Sequence, residues 1–282
     1  MADEIDSQPP QFEWQSPKPQ FEVGRVLGRT FSVIKHNFVK FGLLCFVVVG
    51  IPLFLVGFWP LFIYGGEGMM SDGEVSGELF FATVIGSVIG FFVYVVAYSV
   101  VSAILTHVCF KDFADEEVSL KRSSRTALAL FLPLVGVLFI YFLGLMVGFM
   151  LLIIPGIFLL LGWYLVIPVL LVEKTGVLET LSRSWELTKG YKRWILLVTI
   201  ILTIISFVFS IVITLFSVPF GDPNTAALTG ASVTFWVVNS FVSALAHCFA
   251  VMINSAAVAA MYFEIRDLKE GITPESIASV FD

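Results

Sequence analysis

The sequence predicts an all-α polytopic membrane protein with six transmembrane helices in three hairpins, each hairpin preceded by a basic interfacial helix. Composition is the first reason: 58% of the 282 residues are hydrophobic, only 13% are charged, and the mean hydropathy is +0.95. A soluble core of this size cannot bury so much apolar surface. The other reasons are five long runs without Asp, Glu, Lys or Arg, and an uneven distribution of the cations between these runs.

Each uncharged run is long enough to form a span, because about 20 apolar residues cross the roughly 30 Å of hydrocarbon. The third run is long enough for two spans, and Ile154-Pro155-Gly156 within it predicts a break between them. The last run opens with PNTAALTGAS, which is too polar to cross a bilayer, so the total is six spans. The runs are Phe41–Gly66, Leu79–Phe110, Thr126–Val172, Trp194–Gly221 and Pro223–Phe263.

The cations predict the orientation of these spans. All 16 Lys and Arg lie before span one, between spans two and three, after span four or after span six, and none lies in 65–78 or 219–232. Because short cytoplasmic loops retain Lys and Arg, both termini are predicted to be cytoplasmic. The opposite face carries only acidic residues, which are Glu67, Asp72, Glu74, Glu78 and Asp222.

The sequence predicts that the chain is divided into three parts. Residues 1–20 are rich in Pro, Gln and acid and lack the features of a signal peptide, so they are predicted to be a disordered cytoplasmic tail. Residues 21–268 form the membrane domain, and 269–282 form a second cytoplasmic tail. The three cysteines fall inside predicted spans, which indicates free thiols rather than disulfides or a metal site. A net charge of −6 argues against a nucleic-acid partner.

The stretch LSRSWELTKGYKRW, from Leu181 to Trp194, lies between two apolar runs and cannot enter the hydrocarbon. Each of its Lys and Arg residues would cost roughly 3 kcal/mol at the bilayer centre. Its apolar residues recur at helical spacing opposite its charged residues, which is typical of a helix in the membrane interface. The alternative is an ordinary cytoplasmic loop helix.

A similar pattern occurs earlier, because Leu27–Lys35 aligns with Leu181–Lys189 in its leucine, arginine, hydroxyl, aromatic and lysine positions. A weaker third copy begins at Ser124, and chance similarity among basic helices is the alternative to a threefold repeat. If the helices lie in the interface, their cations would bind anionic lipid headgroups. The candidate headgroup ligands are Arg29, Lys35, Arg183, Lys189, Lys192 and Arg193.

The second half of the chain has a recognisable set of motifs, which are Ile154-Pro155-Gly156-Ile157, Trp163, Pro168, Glu173, Ser184, Leu187 and Lys189-Gly190. This set resembles the membrane domain found at the N-terminus of some bacterial glycerophosphodiester phosphodiesterases, and related stand-alone inner-membrane proteins of unknown function. The resemblance implies a bacterial inner-membrane location. It transfers no catalytic residues, because the soluble barrel domain of those enzymes has a His-Arg-Gly signature and none of the three histidines here precedes an arginine.

Polar residues in the last span are the other candidate site. The spacing of Asn239, Ser243, His247 and Asn254 places them within about 80° of one another on one helix face. Such a face lines a polar cavity or forms hydrogen bonds between helices, and each such bond is worth roughly 0.6 kcal/mol. The sequence leaves both readings open.

These observations favour a non-catalytic membrane protein that binds anionic lipids or supports envelope integrity. A small-molecule or lipid transporter is the alternative, and an enzyme requires a partner chain to supply catalytic groups. No acidic residue lies within the apolar runs, and no catalytic triad, phosphate loop or zinc spacing is present. We therefore expect no cofactor, with membrane lipids as partners and a homo-oligomer or a partner membrane protein as further possibilities.

Overall fold

The computed structural model describes residues 21–57, 77–116, 120–216 and 233–271, together with residues 276 and 280. The predicted tail 1–20, nearly all of the two segments without cations and most of 269–282 lie outside the described residues. The helices of eight residues or more within the described ranges are α1 Val23–Cys45, α3 Gly77–Phe113, α4 Leu120–Ala129, α5 Phe131–Leu151, α6 Ile153–Gly162, α7 Val166–Glu173, α8 Val177–Thr188, α9 Lys192–Leu215 and α10 Val233–Glu270. A shorter helix, α2, covers Ile51–Gly57.

Six stretches of these helices are long and apolar enough to cross a bilayer, which confirms the six predicted spans and the assignment to integral membrane proteins. Two of the spans join helices that follow each other closely, namely α1 with α2 and α6 with α7. The six are Val23–Gly57, Phe80–Phe113, Phe131–Leu151, Ile153–Glu173, Lys192–Leu215 and Val237–Glu270.

The first span is continuous with the basic segment before it. Leu27–Lys35 lies inside α1, and the helix deviates only at Asn37, where φ is −112° and ψ is 18°. The Asn37 amide donates to the Asp112 carboxylate at 2.8 Å, which ties this kink to the end of α3. A π-helical turn, Phe46–Gly50, then leads into α2. The first repeat copy is therefore the beginning of a long helix and not a separate helix.

The third and fourth spans separate where the sequence predicts a break, although two residues earlier. Leu152 adopts an extended conformation, with φ −166° and ψ 153°, between α5 and α6. Pro155 falls in the first turn of α6, where a missing backbone N–H costs nothing. The two helices meet closely at glycines, since a Cβ atom on Gly148 would lie 3.1 Å from the Cα atom of Gly156.

The core lies toward one end of the bundle. The second halves of α3 and α10 and nearly all of α7 are buried there, among them Leu105, Leu170 and Met261. We call this the basic end, because Arg25, Arg29 and Arg183 also lie there. The other half of the bundle presents large apolar side chains outward, as expected of a surface that meets lipid tails; examples are Phe80, Phe81, Phe207 and Val208.

Candidate functional site

A cavity of about 500 Å³ lies between α3, α5, α9 and α10. Its lining residues fall near the midpoint of each of these helices, so the cavity lies about midway along the bundle. The volume is within the range of small-molecule binding sites in proteins. The polar residues of the lining are Tyr94, Tyr98, Tyr141, Thr199, Thr203, Ser206 and Asn254.

Asn254 is the centre of a hydrogen-bond network that joins α3, α10 and the short link between α6 and α7 beside this cavity. Its side-chain amide donates to the Tyr98 hydroxyl at 2.8 Å, and its carbonyl oxygen accepts from the Tyr164 hydroxyl at 3.0 Å. An asparagine side chain can donate two hydrogen bonds and accept two. These contacts use one donor hydrogen and one acceptor lone pair. Asn254 therefore keeps one donor and one acceptor for a molecule in the cavity.

Four further hydroxyl groups in the lining, three on half-buried residues and one on the exposed Thr203, have no partner in the described part of the chain. Tyr94, Tyr141, Thr203 and Ser206 form no side-chain hydrogen bond with any residue that the structure describes. A hydroxyl group in an apolar medium without a partner costs a free energy of about 1–3 kcal/mol. Polar groups so placed indicate a cavity that receives polar atoms rather than lipid tails alone.

The cavity is uncharged. Its described lining contains no Asp, Glu, Lys, Arg or His residue. Taking a bare ion to this depth without a counter-charge is far more costly than placing a hydroxyl or carbonyl group there. The chemistry of the lining therefore suits a neutral molecule that forms hydrogen bonds and carries an apolar part.

Tyr164 does not line the cavity itself, but it reaches Asn254 at the cavity wall because the fourth span is interrupted there. α6 ends at Gly162 and α7 begins at Val166, and at this junction the Gly162 carbonyl and the Leu165 N–H bond to side chains rather than to the helix backbone. Helix α8 supplies these side chains from its buried face. Ser184 donates to the Gly162 carbonyl at 3.0 Å and accepts from the Leu165 N–H at 3.2 Å, while Thr188 donates to the same carbonyl at 3.1 Å.

These bonds give the stretch between Leu181 and Trp194 a structural role that the sequence did not reveal. The hydroxyl groups of α8 hold the break in the fourth span, and Trp185 covers Gly162 so closely that a Cβ atom there would clash with the indole ring. Broken helices within membrane proteins are tolerated where the protein satisfies the freed backbone groups. The break in turn directs Tyr164 toward Asn254.

The predicted polar face of the last span is divided between two cavities. Only Asn254 lines the central one, whereas Asn239, Ser243 and His247 line a smaller cavity of about 290 Å³ beside α2. His247 Nδ1 donates to the Ser243 backbone carbonyl at 2.8 Å. Its ring meets the ring of Tyr94 at a centroid distance of 5.8 Å, so the two cavities are neighbours.

Two of the predicted headgroup ligands are held by carboxylates of the protein. Arg29 Nη1 lies 3.0 Å from Glu264 Oε2, and the Glu264 side chain is fully buried. Arg183 Nε lies 2.9 Å from Glu173 Oε2, and its Nη2 atom contacts Glu270. Burial lowers the pKa of Arg183, but its bonds to Glu270 and Glu173 outweigh that effect and raise the pKa overall.

The other four predicted ligands have no ion pair with any residue that the structure describes. Lys35 and Lys189 are exposed. The Lys192 ammonium group lies over the ring of Trp185 at 3.3 Å from its centroid, and the Arg193 guanidinium lies 5.3 Å from the ring of Trp194. Cations placed on aromatic rings beside an apolar span are typical of the headgroup level of a bilayer.

Of the polar residues that line the cavity, the sequence analysis predicted only Asn254. It missed Tyr94, Tyr98, Tyr141, Thr199, Thr203 and Ser206, and also Tyr164 beside the cavity. Tyr94 and Tyr98 are four residues apart in the second span, which puts both on one helix face, and that spacing was the available signal. Tyr141 and Tyr164 each stand alone in apolar surroundings and gave no comparable signal.

Within the described ranges, no group of His, Cys, Asp and Glu residues is arranged to hold a metal ion. Comparison of the chain with protein families, curated proteins and solved structures finds no match, so the resemblance drawn from sequence motifs stays a prediction.

Proposed function

We propose that this integral membrane protein is a non-catalytic binder or carrier of an uncharged amphiphilic molecule, which it holds in the central cavity. The observation that carries the proposal is the set of hydroxyl groups in the lining, with Asn254, about midway along the spans. Four of these hydroxyls, on Tyr94, Tyr141, Thr203 and Ser206, have no described protein partner. The sequence alone favours binding of anionic lipids over transport of a molecule, whereas this proposal puts the binding or transport of a molecule first.

The orientation belongs to the same proposal. The basic end would face the cytoplasm of a bacterial cell, as the distribution of Lys and Arg favours, and the six spans would form three consecutive hairpins. A bound molecule would then lie on the side of the buried core that faces away from the cytoplasm. The core includes the Ser255–Ser102 hydrogen bond at 3.0 Å, just beyond Asn254 and Tyr98.

Filling the cavity tests the proposal. In Ser206→Phe the added ring enters the space that the bound molecule would occupy, so we expect this variant to lose a small molecule that the wild-type protein retains. Native mass spectrometry of protein released from detergent measures the retained mass, and chemical analysis of an organic extract identifies it. Retention should fall by about tenfold or more, because overpacking a cavity costs roughly 1–3 kcal/mol.

Ile204→Phe is the matched control, because Ile204 lies two residues away on α9 and is exposed to lipid. The control should retain the molecule as the wild type does. Equal retention in all three proteins, or none in any of them, would contradict the proposal.

Binding of anionic headgroups is the second candidate function, and the cations stacked on Trp185 and Trp194 favour it. A Lys or Arg residue near an anionic surface contributes about 1 kcal/mol. The structure narrows the set of ligands, because Arg29 and Arg183 already bind carboxylates. Of the six predicted ligands, Lys35, Lys189, Lys192 and Arg193 therefore remain for headgroups.

Lys192→Gln should lower the retention of phosphatidylglycerol about fivefold at low salt, which corresponds to the loss of about 1 kcal/mol. Lipid counts per protein from native mass spectrometry, at increasing salt, provide the measurement. Arg183→Gln should leave the lipid count nearly unchanged, because Glu173 and Glu270 occupy this guanidinium. A larger loss in Arg183→Gln than in Lys192→Gln would reject this assignment.

A further inference from the structure

A second, almost entirely apolar groove adjoins the central cavity. It has a volume of about 350 Å³ and lies between α3 and α5 on the lipid-facing side of the bundle. Side chains of the groove are strongly exposed there, for example Phe92 at 57%, Phe139 at 63% and Met146 at 62%. Such a surface suits a hydrocarbon chain and offers almost nothing to a polar group.

The groove and the cavity share two residues, Val95 on α3 and Phe142 on α5. Each of these side chains therefore has the polar cavity on one side and the apolar groove on the other. Val95 and Phe142 therefore form the boundary at which a space for hydrogen-bonding groups adjoins a space for methylene groups. One amphiphilic molecule can occupy both, whereas a compact polar solute would use only the cavity.

From this geometry we infer the class of the ligand: a neutral lipid whose uncharged headgroup bonds to Asn254 and the tyrosines, and whose chain passes Val95 and Phe142 into the groove. The inference rests on the proposed function, because it takes the cavity as the binding site. A lipid with an anionic phosphate headgroup is disfavoured, because the described lining of the cavity supplies no cation.

Two photoactivatable lipids test this inference in the full-length protein in phosphatidylcholine nanodiscs. One is a diacylglycerol with a diazirine near the end of a chain, and the other is the phosphatidic acid with the same chains. We expect diacylglycerol to label α3 around Phe91–Ser99 and α5 around Leu138–Met146, and phosphatidic acid to label them about tenfold less. Unlabelled diacylglycerol should compete with the label.

Val95→Trp adds a large ring at the boundary between the cavity and the groove and should abolish the labelling of α5, while Val93→Trp is the matched control. Val93 is two residues away on α3, is exposed to lipid and lines neither cavity. Equal labelling of the groove by both lipids would mean ordinary annular lipid and would overturn the inference. Labelling unaffected by Val95→Trp would do the same.

The failure of this inference differs from the failure of the proposed function. If Ser206→Phe removes a retained molecule but diacylglycerol labels only other helices, the cavity binds a ligand of another class and the chain does not use the groove. If diacylglycerol does not label either helix and the wild type retains no molecule, both proposals are overturned.

Discussion

Replacing Glu264 by glutamine is expected to lower the free energy of unfolding by about 3 kcal/mol, the largest loss of stability that we predict for a single substitution. The Glu264 carboxylate is fully buried and lies 3.1 Å from Arg25 and 3.0 Å from Arg29. Removing one partner of a buried ion pair costs roughly 3–5 kcal/mol. The lower value applies because both arginine side chains are about one-third exposed and regain contact with water.

Steric trapping or thermal unfolding in detergent measures this loss. Glu186→Gln is the control, because Glu186 is 67% exposed and lies 4.0 Å from Arg183, so its loss should be below about 0.5 kcal/mol. Similar losses in the two variants would show that the Glu264 ion pairs do not hold α1 against α10.

Replacing Asn254 by leucine is expected to reduce retention of the bound molecule by tenfold or more, with a small effect on folding. The substitution removes one donor and one acceptor from the cavity and leaves Tyr98 and Tyr164 without their shared partner. A site built to form hydrogen bonds discriminates strongly when its polar groups lose their partners. Hydrogen bonds between membrane helices contribute only about 0.6 kcal/mol on average, so the fold should survive.

Retention is measured by native mass spectrometry, and the free energy of unfolding is measured in parallel. Asn239→Leu is the control in the same helix, because Asn239 lines the smaller cavity beside α2 and not the central one. Equal loss of the retained molecule in both variants would show that the central cavity is not the specific binding site. Unfolding of Asn254→Leu would indicate that the network serves packing, and Tyr164→Phe, which removes a single hydroxyl, would then test ligand retention in a folded protein.

The number of spans was predictable because the hydrocarbon thickness sets the length of each apolar run, and Pro155 marked the break between the third and fourth spans. The interruption of the fourth span at Gly162 was not predictable in the same way. The run around Gly162 is apolar throughout, and the break depends on hydroxyl groups of Ser184 and Thr188 that are distant in sequence. Nothing local in the sequence reports such a tertiary contact.

The candidate site was predicted only in part for a related reason. Helical spacing grouped Asn254 with Asn239, Ser243 and His247 on one face, but a face of about 80° is wide enough to meet two different neighbours. Which neighbour each residue meets depends on how α2, α3 and α9 pack around α10. The ion pairs were harder still to predict, because the sequence shows that Arg29 is basic but not that Glu264 lies beside it.

The ion pairs between Arg25, Arg29 and Glu264 also impose an order on assembly. Arg29 must wait until 235 further residues have been synthesised before its acidic partner exists. Until then α1 can enter the bilayer but cannot form its ion pairs with α10, since contacts distant in sequence form late. Insertion of α1 can therefore be finished long before α1 pairs with α10, and a chain halted before residue 264 would leave both guanidinium groups without this partner at the membrane surface.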